Sequence, residues 1–460
     1  MSPPAETLFT RFGGWLFPGS IKSSSMASFP AETSLGLCGG RPSAHPFVEQ
    51  RFLEELLVFI KTPYNEGSSH TLPVAKFQRA IEADPELVDL FDQMFLQVSP
   101  ENKTPDFASL LYMFDQIIYT PPKIYAVKDE KGNTMISAIP LLTTPFDFLT
   151  NTSAAYDLFR KPAFNAAFKD LLDAWGQYLT TKDSNCTLTD EDGGWFQKLC
   201  LEKLEENRGV FNETYVTPDP GAVNRGFASW DDFFTREFQA GTRPIHSPED
   251  KSLIHSACES TVYRIAYHVK AHDQFWLKTQ NYSLYDMLNR DVDYVKQVVG
   301  GTIYQAYLAP ADYHRWRSPV DGTIEKTVIV PGVYLAVLPD DGAEPGNPYR
   351  KEGDPRGARI RSQAWLTQAA TRALIYIRAD NPDIGLMCFV AIGMADISTC
   401  AVGVAEGQKV KAGDLLGMFH FGGSSYTLIF GPQAAITFAQ NVIVGQHIWV
   451  SSVIAQVKKA

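Results

Sequence analysis

Basic residues are in deficit. The 460-residue chain carries 41 Lys and Arg against 52 Asp and Glu, a formal net charge of -11. That argues against nucleic-acid binding and removes any electrostatic reason to lie on an anionic membrane. No run of 18 uncharged apolar residues occurs, so no transmembrane helix is expected. Cysteine is scarce: six residues, at 38, 186, 200, 258, 388 and 400, without a C-x-x-C pair. Such scatter suits free, buried thiols in a reducing compartment, here the cytoplasm. A phosphate-binding glycine loop and an internal repeat are also missing. The first 45 residues hold Ser, Pro and Gly clusters with only Arg11, Lys22 and Arg41 as Lys or Arg. They lack the apolar stretch of a secretory signal and read as a disordered arm, residues 1–45.

What is present is ordinary globular material, 45% hydrophobic and 20% charged, in a length that suits two domains. Residues 46–208 read as a helical N-terminal domain. Phe52, Leu53, Leu56, Leu57 and Ile60 share one face, and Phe164, Phe168, Leu171, Leu172, Trp175 and Leu179 another, in a helix that Pro162 can start. Between them Thr104-Pro105-Asp106 opens a run bearing Phe107, Leu110, Leu111, Phe114 and Ile118. Beyond Thr217-Pro218-Asp219-Pro220-Gly221 the period changes. Strands are expected at 303–308, 324–330, 374–377, 385–393, 425–430 and 442–450, with a short hairpin over 404–414. The fold class is therefore α+β: the helical domain, then a mainly β, sandwich-like domain over 209–460 with helices on its rim.

Two segments carry chemistry. Gly417-Met418-Phe419-His420-Phe421-Gly422-Gly423-Ser424-Ser425-Tyr426-Thr427-Leu428 reads as strand, tight turn, strand. One reading is a plain hairpin turn. It is not a hydrolase elbow, because neither serine lies in G-x-S-x-G. The other reading is a turn that cuts itself. The Ser424 hydroxyl attacks the Gly423 carbonyl, the amide becomes an ester, and elimination and hydrolysis leave a pyruvoyl ketone at a new N-terminus. Such a ketone condenses with an amine and withdraws electrons from it, which drives decarboxylation. The second segment, Asp312-Tyr313-His314-Arg315-Trp316-Arg317, places a histidine among arginines and aromatics just after a strand. It is either a surface loop or a device for holding a carboxylate and moving a proton.

Together these pieces resemble the phosphatidylserine decarboxylase family. The match runs in order through Ser229-Trp230-Asp231-Asp232-Phe233-Phe234-Thr235-Arg236, Arg243-Pro244, Gln280-Asn281-Tyr282-Ser283-Leu284, Asp312-Tyr313-His314-Arg315, Pro331-Gly332 and Gly422-Gly423-Ser424-Ser425. Within it, the chain more closely resembles the soluble fungal branch that includes L-tryptophan decarboxylase. That likeness lies in Ile81-Glu82-Ala83-Asp84-Pro85, Asp173-Ala174-Trp175-Gly176, Ser256-Ala257-Cys258-Glu259-Ser260 and Gly417 to Ser425.

The resemblance implies cleavage between Gly423 and Ser424. It gives a β chain of residues 1–423 and an α chain of 424–460 that starts with a covalent pyruvoyl group, with no pyridoxal phosphate. It implies His314 as proton donor in decarboxylation. The family's processing Asp and His fall here on Cys258, beside Glu259, and on Arg317, and an arginine cannot act as a base. Glu259 is then the candidate processing acid, and His420, His314 or His255 the candidate base. Arg315 and Arg317 are candidate carboxylate holders. The implied substrate is a small L-amino acid, aromatic and tryptophan-like, converted to its amine plus CO2. Two other readings stay open: phosphatidylserine decarboxylation to phosphatidylethanolamine, and a non-cleaving homologue that only binds. No metal is assigned, and homo-oligomerisation is left open.

Overall fold

The computed structural model describes residues 46–61, 69–128, 132, 134–272, 282–339, 358, 361–393, 399–420 and 424–458. The arm over 1–45, Cys38 and Gly423 lie outside them.

Helix starts follow their capping residues. Asp84 accepts the Glu86 amide at 3.0 Å and opens Pro85–Gln97; Asp106 accepts the Ser109 amide at 2.7 Å and opens Phe107–Ile117. Pro162 occupies the first turn of Pro162–Leu179, where its missing N–H costs nothing. The apolar faces of these helices meet in one core that includes Phe77, Phe114, Phe164, Phe168 and Trp175 and continues through Phe211 to Phe234. One element within this stretch departs from the helical reading: a hairpin pairing Ile124–Lys128 with Thr134–Ala138.

The second half is built on an eight-stranded, wholly antiparallel sheet. Its strands run in the order Lys409–Val410, Gly322–Val330, Arg372–Ala379, Leu386–Gly393, Ser424–Phe430, Thr302–Leu308, Ser260–Tyr267 and His447–Ile448. One face is covered by two three-stranded sheets. The first is Thr399–Val402, Leu415–His420 and Arg315–Arg317; the second is Ile436–Phe438, Val453–Val457 and Leu253–His255. The other face is covered by helices Leu284–Met287, Val292–Val298 and Gln363–Ala369. The expected sandwich thus exists on one face, and helices close the other rather than the rim.

Several expected elements change. The stretch 442–450 is irregular and turn, with only His447–Ile448 pairing as strand. The 404–414 hairpin does not form: Lys409–Val410 pairs with Gly322 and Thr323 instead. The most consequential change concerns the plain hairpin at residues 417–430. Leu415–His420 pairs with Thr399–Val402 and Arg315–Arg317, whereas Ser424–Phe430 pairs with Thr302–Leu308 and Leu386–Gly393. The two strands belong to different sheets, so the chain crosses between layers where a tight turn was expected. Among the described residues five cysteines are free: Cys200, Cys258 and Cys388 are buried, Cys400 is half-buried and Cys186 is exposed.

Candidate active site

Ser424 is the first residue of its strand, and its neighbours across the sheet are Leu308 on one side and Gly393 on the other. Cross-strand partners share a face. The Ser424 side chain therefore lies on the face of Tyr426 and Leu428, and Gly393 puts no side chain against it. The residue is fully buried, and its hydroxyl has no hydrogen-bond partner among the described residues. A buried, unsatisfied hydroxyl costs about 1–3 kcal/mol, so its retention calls for a reason other than stability.

His314 follows Leu308 by six residues, at the same end of the sheet. Its carbonyl accepts the Phe419 amide at 3.0 Å, which ties the histidine loop to the strand leading toward Ser424. The ring is fully buried and lies 4.0 Å from the Phe234 ring at 26°. Both ring nitrogens lack partners among the described residues. Burial pushes the imidazole down to about 3; Asp312 opposes this shift and Arg236 assists it. His314 is thus neutral near pH 7 in the unbroken chain.

One short segment holds this arrangement. Helix Trp230–Phe234 is capped by Ser229, whose hydroxyl accepts the Asp232 amide at 3.1 Å, and the Asp232 carboxylate reaches back to the Ala228 amide at 2.9 Å. With Asp232 employed in the cap, Asp231 is left to meet His420: its carboxylate oxygens lie 3.0 and 3.1 Å from the His420 Nδ1. Phe234 supplies the ring under His314. Arg236 donates to the Ala311 carbonyl at 2.7 Å, and the Thr235 carbonyl accepts from Arg315 Nε at 2.7 Å. Residues 229–236 therefore brace the His314 loop on both sides and grip His420.

Beneath the loop lies a buried charged group. Asp312 meets Arg208 Nε at 2.7 Å and His447 Nε2 at 3.1 Å, and it accepts the Ala309 amide at 2.6 Å. Burial alone would raise its carboxyl, but Arg208 and His447 outweigh that and hold it well below the usual carboxylate range. Glu259 is fully buried and forked by Arg243, with Nη2 at 2.8 Å and Nε at 3.2 Å; it also accepts the Val450 amide at 3.0 Å. Two strong donor sets therefore already claim this carboxylate. Replacing Arg243 with Met should leave Glu259 buried and mostly unpaired. The expected cost is about 3–5 kcal/mol, measurable by urea denaturation in an uncleavable background.

Arg315 also pairs with Glu237 at 3.2 Å. Arg317 donates to the Gly413 carbonyl at 2.9 Å and to the Tyr313 hydroxyl at 3.0 Å, and its buried Nε has no partner among the described residues. Cys258 is fully buried, and burial, with Asp312 adding to it, raises its thiol well above the ordinary range. His255 sets its two nitrogens 3.3 and 3.4 Å from the Pro319 and His246 carbonyls; burial lowers it and those carbonyls partly restore it. Sequence reasoning assigned no role to Asp231, Phe234, Arg208 or His447. The Asp231-Asp232 pair within a dense aromatic segment was the available signal, but which acid caps and which reaches outward depends on helix position.

A family model described as phosphatidylserine decarboxylase matches residues 230–456, and a second model of the same description matches residues 71–204. The decarboxylase iboD of Amanita muscaria is 60% identical over 350 residues, covering 76% of this chain and all of that protein. The L-tryptophan decarboxylase of Psilocybe cubensis is 37% identical over 374 residues, covering 77% of this chain and 79% of its own. Phosphatidylserine decarboxylase proenzyme 3 of Schizosaccharomyces pombe is 30% identical over 208 residues, covering 45% of this chain and 19% of its own. No helix among the described residues is long and apolar enough to cross a membrane. The chain belongs to the phosphatidylserine decarboxylase family and is a carboxy-lyase of that type.

Proposed function

We propose that the chain is made as a proenzyme, cuts itself between Gly423 and Ser424, and then decarboxylates a small L-amino acid, with tryptophan-like substrates favoured. One observation carries this reading: a serine hydroxyl and both nitrogens of a histidine, all buried and without partners among the described residues, stand at the same end of one sheet. The site fits a ketone made from Ser424. When formed, that group supplies an electrophile for the substrate amine and a sink for the electrons left as CO2 departs. His314 is the group that returns a proton to the substrate carbon. Its neutral form must first be charged, and a carboxylate or carbanion arriving beside it favours that charging. Trp316, Phe389, Phe419 and Tyr426 line the same layer as Ser424. They keep water from the reacting carbon, and apolar surroundings favour loss of a carboxylate.

Cleavage need not release the small fragment. Each of the seven residues of Ser424–Phe430 is paired on both sides within the sheet, and Val450 and His447 reach Glu259 and Asp312 of the large fragment. The two fragments should remain one molecule. The free cysteines among the described residues suit action in a reducing compartment such as the cytoplasm.

The choice of an amino acid over a phospholipid rests on the relatives named for tryptophan, which cover most of both chains, whereas the named phosphatidylserine decarboxylase proenzyme shares less than half of this one. The test is CO2 release from tryptophan, tyrosine and phosphatidylserine vesicles, measured side by side. Turnover of tryptophan at least about tenfold above the vesicles is expected. Turnover of the vesicles alone would assign the chain to phosphatidylethanolamine synthesis.

A further inference from the structure

We infer that Asp231 is a positioning residue for His420, and that this pair supplies the proton acceptor for self-cleavage in place of the family's missing histidine. The inference rests on the self-processing reading above. Asp231 comes from helix Trp230–Phe234 and His420 ends the strand Leu415–His420, so two separate elements are brought together by a contact that spans 189 positions. The carboxylate takes Nδ1, which fixes the tautomer that leaves Nε2 unprotonated and able to accept a proton. His420 precedes Ser424 by four residues, a reach of at most about 14 Å in a fully extended chain.

The other candidates are worse placed to accept a proton. A histidine acceptor becomes a cation and needs a counter-charge. His314 is fully buried against the Phe234 ring and is strongly biased to stay neutral. His255 has both nitrogens turned to backbone carbonyls. Glu259 is committed to Arg243 and to the Val450 amide. Arg317 is permanently charged. His420 meets a carboxylate directly, and it is about a third exposed, its side chain at 36% against 14% for Asp231.

The step balances without any further reactant. The Ser424 O–H bond breaks and its proton passes to His420 Nε2 as the oxygen bonds to the Gly423 carbonyl carbon. The 423–424 C–N bond then breaks, and its nitrogen takes that proton back from His420. An ester and a free amine on residue 424 result. Asp231 holds the ring in the tautomer that can accept, and it balances the transient charge.

The experiment follows cleavage of freshly synthesised chain by denaturing electrophoresis and intact mass, in wild type, D231N, D231E, H420Q and S424A. D231N is expected to slow cleavage roughly 10²-fold or more, as loss of a carboxylate behind a catalytic histidine does. H420Q should slow it at least as much, and D231E should recover to within about tenfold of wild type. Melting temperatures taken in the S424A background should be alike for D231N and D231E. Wild-type cleavage rates in D231N or H420Q would overturn the inference and leave self-processing intact. So would D231E as slow as D231N with both melting early, which would make Asp231 a purely structural residue. A wild-type chain that never cleaves would instead remove the underlying reading.

Discussion

Ser424→Ala is expected to remain a single 460-residue chain and to release no CO2 above background. Alanine removes the oxygen that must attack the preceding carbonyl, so neither the ester nor the ketone derived from it can form, and no other hydroxyl substitutes directly. Ser425 is the adjacent residue, and its hydroxyl is also buried and without a partner among the described residues, but alternation along the strand turns it to the opposite face, with Thr427. The loss is all-or-none because the electrophile itself is absent, unlike the graded losses that follow removal of a proton carrier. The variant should fold at least as well as the unprocessed wild-type chain: a buried hydroxyl without a partner among the described residues is deleted and only a small volume is lost, so the change in stability relative to that chain should lie within about 1 kcal/mol. Intact mass, CO2 release and a melting curve on one preparation check all three points. Retained turnover in a chain shown to be unbroken would mean that the chemistry does not depend on Ser424.

The order of elements was readable because its signals are local. Asp84, Asp106 and Pro162 announce their helices through capping chemistry that involves neighbours a few residues away. The strands at 302–308, 322–330, 372–379 and 386–393 are apolar runs bounded by turn residues, so their existence, though not their ends, follows from pattern. The crossing from Leu415–His420 to Ser424–Phe430 was misread as a hairpin because two alternating strands around Gly-Gly-Ser-Ser look the same whether they pair with each other or with strands far away. Register is decided by the partners, here Leu308 and Gly393. Residues 442–450 were misread for a related reason: Val442, Ile443 and Val444 are apolar without being ladder residues, and Ile443 stays 62% exposed. In the candidate site, Ser424 and His314 drew attention through the short motifs that hold them, Gly422-Gly423-Ser424-Ser425 and Asp312-Tyr313-His314-Arg315. Asp231, Arg208 and His447 did not, because a carboxylate, a guanidinium or an imidazole gains its meaning from a contact that crosses up to 189 positions, and a lone sequence carries no trace of that contact. Glu259 shows the converse. Its place beside the family's processing-acid position made it a candidate by resemblance, and its surroundings in space, two arginine nitrogens and an amide bonded to it, could not be read from that place.

His314→Phe is expected to separate the two halves of the proposed chemistry. Phenylalanine can keep the stack on Phe234 in a fully buried site, and it deletes two buried nitrogens that have no partners among the described residues. Folding at pH 7 should therefore be unharmed. Cleavage should continue within about tenfold of wild type, because His420 and Asp231 rather than His314 are assigned to it. CO2 release should fall by about 10²–10⁴, the usual contribution of a positioned proton donor. The stability of uncleavable chains gives a second, independent reading of the same residue. The folded-state value of His314 is lowered to about 3 from an ordinary 6.5, so between those limits the unfolded chain binds the extra proton. The stability of a chain retaining His314 is thus fully present above about pH 6.5 and is lost as pH falls toward 3, with a slope from this one group of at most about 1.4 kcal/mol per pH unit. Asp312 and His255 add slopes of the same sign, and they remain in both chains. Urea denaturation of S424A and of S424A/H314F across pH 4 to 7 should show the shallower fall in the double variant. Parallel curves would mean that His314 does not carry the neutral, buried imidazole on which its role depends, and full CO2 release by His314→Phe would pass the proton to another group.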